Sequence, residues 1–264
     1  MDPVDLTITE GLARLRLTRP EVGNAIGLAT ARALRDAAQQ CRAAEVRAVL
    51  LTADGSNFCV GGDLREFASF GPEALTGHLH AVTDALHEAQ RILADLDGPV
   101  VAAVQGAAAG AGFGLACGAD VVLAGSGARF VSAYTAIGFS PDAGLTWTLT
   151  RAVGRVRASA VLLLNRPVLA AEAVEWGLVT EVVPDEELAA RALELAGRLA
   201  SGPTAAFGVV KRMVATATET DRPTRWAQEG STLASAAASA DGAEGVAAFL
   251  TKRPPVFTGG RPVG

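Results

Sequence analysis

Two glycine-rich loops in this sequence have the residue types for close backbone approach to a ligand. The first, NFCVGGDL (residues 57–64), follows the apolar run AVLLT (48–52). Paired glycines after a buried strand let a backbone approach a ligand closely, though an ordinary tight turn reads the same way. The second, QGAAAGAGFGLACGAD (105–120), leads from an apolar run into a Gly/Ala-rich helix start. Unpaired N–H groups and the helix dipole favour an anion there. A dinucleotide fingerprint needs GxGxxG, whereas Gly110, Gly112 and Gly114 give GxGxG, and no phosphate-loop GK[ST] follows.

Single side chains add proton chemistry. Asp142 follows Pro141, where a carboxylate either moves protons or caps a helix starting near Ala143. His87 lies on a long amphipathic stretch, where pocket wall, surface histidine and proton acceptor are all open. His78 and His80 form an HxH pair that does not share a helix face, so no metal site is expected and both are read as solvent-facing. Tyr134, the only tyrosine, either shapes a pocket, bonds Asp142 or fills the core. Trp147 and Trp176 are read as core. Cys41, Cys59 and Cys117 are odd in number and lack CxxC spacing, which argues for small buried thiols rather than a disulfide or zinc framework.

These groups need a scaffold, and apolar periodicity outlines it. Residues 12–17 alternate as a half-exposed strand; 48–52, 100–104 and 121–124 are apolar runs of strand length. Helical spacing covers 28–44, 76–96 and 107–117, with further helices near 186–199, 204–217 and 242–250. Strands alternating with helices predict an α/β architecture with largely parallel strands. The simplest division is a core over 1–195 and a helical C-terminal region over 196–264.

Residues 100–119 carry no charge for twenty positions, the length of a membrane span, and contain GAAAG. The run is mostly Ala and Gly, and Gly106 divides it. A buried strand followed by a tightly packed helix fits better. With a formal charge of −5 and only two lysines, Lys211 and Lys252, the chain lacks the basic stripe of a nucleic-acid binder. The start, MDPVDLTITEG, has no apolar signal core, so a cytoplasmic location is expected.

Six motifs in order resemble the enoyl-CoA hydratase/isomerase, or crotonase, family over nearly the whole chain. They are RPEVGNA (19–25), NFCVGGDL, the GAAAGAG helix start, FVSAYTAIGFSPDAGLTWTLTRAVG (130–154), AEAVEWGLVTEVV (171–183) and EGVAAFLTKRPPVF (244–257). The resemblance implies a spiral of ββα turns with a helical C-terminal extension used in trimers or paired trimers. It implies an acyl-CoA substrate, with coenzyme A belonging to the substrate and no separate cofactor. It also implies an oxyanion hole from the N–H groups of Gly62 and Ala111, many relatives having glycine at the latter. The backbone near Ala25, Ile26, Gly62, Asp63 and Leu64 would cradle CoA. Phe249 and Lys252 match positions where a neighbouring subunit touches it, and Arg65 is a further phosphate candidate.

Typical hydratases place two glutamates around a water, at the positions of Gly114 and Tyr134 here. Neither is acidic, so ordinary hydration lacks its acid and its base. Asp142 stands where hydratases commonly have glycine. The surrounding sequence resembles the phenylacetate-pathway isomerases, in which one carboxylate takes a proton from one carbon and returns it to another. That makes an Asp142 isomerase the leading expectation. His87 also matches a catalytic histidine of the 4-chlorobenzoyl-CoA dehalogenases, whose nucleophilic aspartate corresponds to Asp142. That leaves an aspartyl-ester dehalogenase or hydrolase as an alternative. A hydratase of unusual design and a non-catalytic acyl-CoA-binding protein complete the set.

Overall fold

The apolar runs alternate between two cores, which sets the layering. The computed structural model describes residues 2–260. Strands β1 (Val4–Thr9) and β2 (Leu12–Leu17) form a hairpin, followed by α1 (Leu28–Ala43), β3 (Ala48–Ala53), α2 (Leu64–Phe67) and α3 (Pro72–Asp95). Next come β4 (Val100–Val104), β5 (Ala107–Ala109), α4 (Ala111–Cys117), β6 (Val121–Gly125) and β7 (Arg129–Val131). Then follow α5 (Leu145–Leu164, broken at Gly154), β8 (Val168–Leu169), α6 (Ala170–Glu175) and β9 (Glu181–Val183). Four helices end the chain: α7 (Leu188–Ala200), α8 (Thr204–Ala215), α9 (Arg222–Ala237) and α10 (Ala240–Leu250).

The larger sheet has the order β1-β2-β3-β4-β6-β9, with only β1–β2 antiparallel. Val49, Leu51, Ala102 and Val104 face a core shared with α1 and α3. Their neighbours Ala48, Leu50, Val101 and Ala103 face a second core under α7. Burial on both faces explains why these strands read as unbroken apolar runs. On α7 the stripe Leu188, Ala192, Leu195, Ala196 and Ala200 closes that second core. Each leucine buried there contributes about 1.5–3 kcal/mol. The anticipated division between residues 195 and 196 falls inside this helix. The result is the α/β spiral with a helical C-terminal extension that the resemblance implies.

Three local expectations are corrected. Residues 107–117 are not one helix: β5 pairs with β7 and Cys59 before α4 begins at Ala111. The cause lies at Gly106, where φ is +55° and any Cβ would collide with the Ser56 carbonyl oxygen, so the chain turns instead of coiling. Helix α3 starts at Pro72, earlier than its apolar spacing suggests, because proline is tolerated in a first helical turn. Trp147 is 47 % exposed rather than core: α5 buries Leu145, Leu149 and Val153, and Trp147 points off that stripe under the Arg151 guanidinium. Trp176 is partly buried and packs against the main core. No helix among the described residues is long and apolar enough to cross a membrane.

The cysteines are unpaired, with Cys41 and Cys59 fully buried. Burial pushes the Cys41 thiol up to about 11 and that of Cys59 to about 12, and raises Cys117 as well. The folded protein should therefore resist a thiol-reactive disulfide reagent at mildly alkaline pH, and all three cysteines should react in urea. Rapid labelling of Cys59 in the folded protein would contradict this account of the thiols.

Candidate active site

Both glycine loops run side by side and reach one cavity. The loop after β3 pairs back on the chain entering α1: Ile26 N–H donates to Gly61 O at 2.7 Å, and Asp63 N–H to Ile26 O at 3.0 Å. This pairing leaves the intervening Gly62 N–H without a backbone acceptor among the described residues. The Ala111 N–H opens α4, so it has no carbonyl a turn behind it, and none elsewhere among the described residues. Gly62 and Ala111 line the same cavity of about 530 Å³ with Ile26, Phe67, Tyr134 and Asp142. Two unused donors over one cavity form an arrangement able to hold an oxyanion.

Asp142 sits on a turn locked from behind. Ala143 and Gly144 both have positive φ, +54° and +70°, which swings the chain into α5. Gln90 Nε2 of α3 donates to the Ala143 carbonyl at 3.1 Å. The Asp142 carboxylate does not cap the helix: the N-cap position is Gly144, and no side chain bonds there. Instead Asp142 Oδ1 lies 2.7 Å from His87 Nε2, a hydrogen-bond distance, with side-chain exposures of 29 % and 49 %. The structure thus brings together two residues far apart in sequence whose partnership the sequence left open.

Tyr134 puts its ring in the cavity wall, and its buried hydroxyl lies beside the Asp142 backbone without a well-formed hydrogen bond. Burial first, and then the nearby Asp142 carboxylate, push its pKa above the ordinary phenol value. The phenol therefore stays neutral and is no base at physiological pH. Gly114 presses on the same turn, for a Cβ there would lie 2.6 Å from both the Cβ and the carbonyl oxygen of Ala143. Gly114 and Tyr134, the two positions at which the resemblance expects glutamates, hold no group able to activate water.

The CoA candidates divide. Ala25 and Ile26 are buried, and Ile26 reaches the cavity. Asp63 caps α2 by accepting the Glu66 N–H at 3.2 Å, and Leu64 and Arg65 are exposed beside it. Phe249 and Lys252, at the end of α10, are exposed and lie outside this cavity. One further expectation is corrected. His78 is not solvent-facing: its side chain is 10 % exposed, bonded to Glu66 and stacked on Phe70, because α2 folds over it. His80 is exposed as expected, but it also lines the cavity.

Sequence reasoning offered pocket wall as one reading of His87 but missed the rest of the α3 face. Thr76, Leu79, His80, Thr83 and Leu86 line the cavity, and His87 and Gln90 continue towards Asp142. Their spacing of three and four marks one helix face, a signal present in the sequence but mixed in polarity.

Comparison with known proteins places this geometry among relatives. The sequence pattern described as enoyl-CoA hydratase/isomerase matches residues 7–260. The chain is 43 % identical over 255 residues to a probable enoyl-CoA hydratase of Rhodobacter capsulatus, covering 96 % of each chain. It is 40 % identical to the 1,2-epoxyphenylacetyl-CoA isomerase of Escherichia coli, covering 96 % of this chain and 97 % of that one. The crystal structure of an enoyl-CoA hydratase from Polaromonas superimposes with a TM-score of 0.89 at 32 % identity, covering 96 % and 99 % of the two chains.

Proposed function

The chain belongs to the enoyl-CoA hydratase/isomerase family, and from that premise we propose that it is an isomerase that moves the double bond of an unsaturated acyl-CoA. The observation that carries this reading is a single carboxylate, Asp142, in a cavity that offers two unused backbone donors and no glutamate pair. Asp142 takes a proton from the carbon chain beside the thioester. The electron pair left behind moves onto the thioester oxygen, where the Gly62 and Ala111 N–H groups meet it. Their hydrogen bonds are stronger to the enolate than to the neutral carbonyl, so they lower the barrier rather than merely tightening binding. Asp142 then returns the proton two carbons away, and the double bond has moved. The His87 contact helps keep the carboxylate turned to one place.

A second reading rests on that same contact. A carboxylate 2.7 Å from a half-exposed imidazole also suits an aspartyl ester whose hydrolysis the imidazole assists. Turnover of a 3-enoyl-CoA in heavy water separates the two. The isomerase yields a conjugated 2-enoyl-CoA of unchanged skeletal mass, with deuterium at the carbon that receives the proton to the extent that Asp142 exchanges. Addition of a water mass would sink the isomerase in favour of hydration. An untouched 3-enoyl-CoA beside loss of halide from a halogenated aryl-CoA would establish the ester mechanism instead.

A further inference from the structure

We infer that Glu66, held by His78, is a positioning residue that aims the Gly62 N–H at the thioester oxygen, an inference that rests on the oxyanion role proposed above. Helix α1 begins after Gly27, which has no side chain to cap it. The cap comes from another helix: Leu28 N–H donates to Glu66 Oε1 of α2 at 2.9 Å. A carboxylate there meets both an orphan donor and the positive end of the helix dipole. Glycine at position 27 is what lets it in, since a Cβ would overlap the Glu66 carboxylate.

The same oxygen lies 2.7 Å from His78 Nε2 of α3. That imidazole stacks on Phe70 at 4.1 Å and meets Phe67 edge-on at 6.1 Å, so its ring is fixed. Glu66 therefore ties together α1, α2 and α3. Gly62 sits inside this tie. On one side its neighbours bond Ile26, two residues before the capped Leu28. On the other side lies the Phe67 ring, so close that a Cβ on Gly62 would be 2.6 Å from it. Both flanks of the donor are thus joined through one carboxylate. Without it Leu28 and His78 lose their partner, and the Ile26 and Phe67 flanks can move apart.

The test compares a ligand that calls on the oxyanion donors with one that hardly does. Acetoacetyl-CoA ionises to an enolate that absorbs in the near ultraviolet, whereas butyryl-CoA presents a neutral carbonyl. Misaiming one donor should weaken enolate binding about tenfold or more. Glu66→Ala should do this while changing butyryl-CoA affinity by no more than about twofold, since a neutral carbonyl draws less on aimed donors. His78→Ala should act in the same direction but less. Glu66→Gln, whose amide oxygen can still accept from Leu28, should recover most of the loss. If Glu66→Ala does not fold, His78→Ala carries the same comparison. Equal weakening of both thioesters, or no change in either, overturns the inference. Failure of wild-type protein to enrich the enolate would sink the oxyanion reading and this inference with it. Because neither probe needs turnover, the role of Asp142 stands or falls separately.

Discussion

Replacing Asp142 by asparagine is expected to lower kcat for double-bond migration by about a thousandfold or more, equivalent to about 4 kcal/mol of barrier. The substitution keeps side-chain size and leaves an amide that can still bond His87 Nε2, the atom 2.7 Å from the carboxylate now. The locked turn behind it, held by Gln90 on the Ala143 carbonyl, is main-chain and should persist. CoA thioester binding should therefore change little, and the whole loss should fall on the proton-transfer step. An amide cannot accept a proton from carbon at neutral pH, so deuterium exchange into a bound 3-enoyl-CoA should vanish together with turnover. Steady-state rates and exchange measured side by side give the check. A variant within tenfold of wild type would remove Asp142 from the chemistry and leave its neighbour His87 as the next proton carrier to test.

How much of this was legible in the sequence depended on what each pattern reports. The β3 and β4 runs were readable because both faces are buried, and the α7 stripe because it meets only the sheet. Strand β1 escaped notice: it is an edge strand with a single buried residue, so its apolar signal is weak. Helix α9 escaped for a stronger version of the same reason, having no buried residue at all. Amphipathic spacing records only packing within the chain, and Trp226 and Leu233 on α9 are largely exposed. In the site, glycine spacing marked two loops able to approach a ligand closely, with an ordinary tight turn open for the first, while Gly62 and Ala111 were singled out by the resemblance alone. The pairing of Asp142 with His87 was open only to analogy, since it joins positions 55 residues apart through the placing of α3 against the turn before α5. The Glu66–His78 contact carries no signature in sequence, and reading His78 as a surface residue followed from treating α3 as one isolated helix.

Restoring a hydratase-like glutamate at position 114 should fail as a gain of function, for reasons visible in the packing. The ideal Cβ of any residue at Gly114 lies 2.6 Å from the Ala143 Cβ and from the Ala143 carbonyl oxygen, well inside contact distance. Ala143 cannot yield easily: its φ is +54°, its side chain is buried, and its carbonyl is bonded by Gln90. Gly114→Glu must therefore displace the turn that carries Asp142 or distort α4, whose first residue supplies the Ala111 donor. Overpacking of this kind costs about 1–3 kcal/mol, and crowding a carboxylate towards Asp142 adds like-charge repulsion. At roughly 2–4 °C per kcal/mol for a chain of this size, melting should fall by about 2–12 °C. Double-bond migration should drop by at least about a hundredfold, because the proposed base and one proposed donor are both misplaced. Thermal melting with product analysis on a 2-enoyl-CoA decides the matter. A variant that keeps the wild-type melting temperature and adds water would mean that the Gly114–Ala143 contact does not bar hydration. The missing glutamate alone would then separate this site from a hydratase.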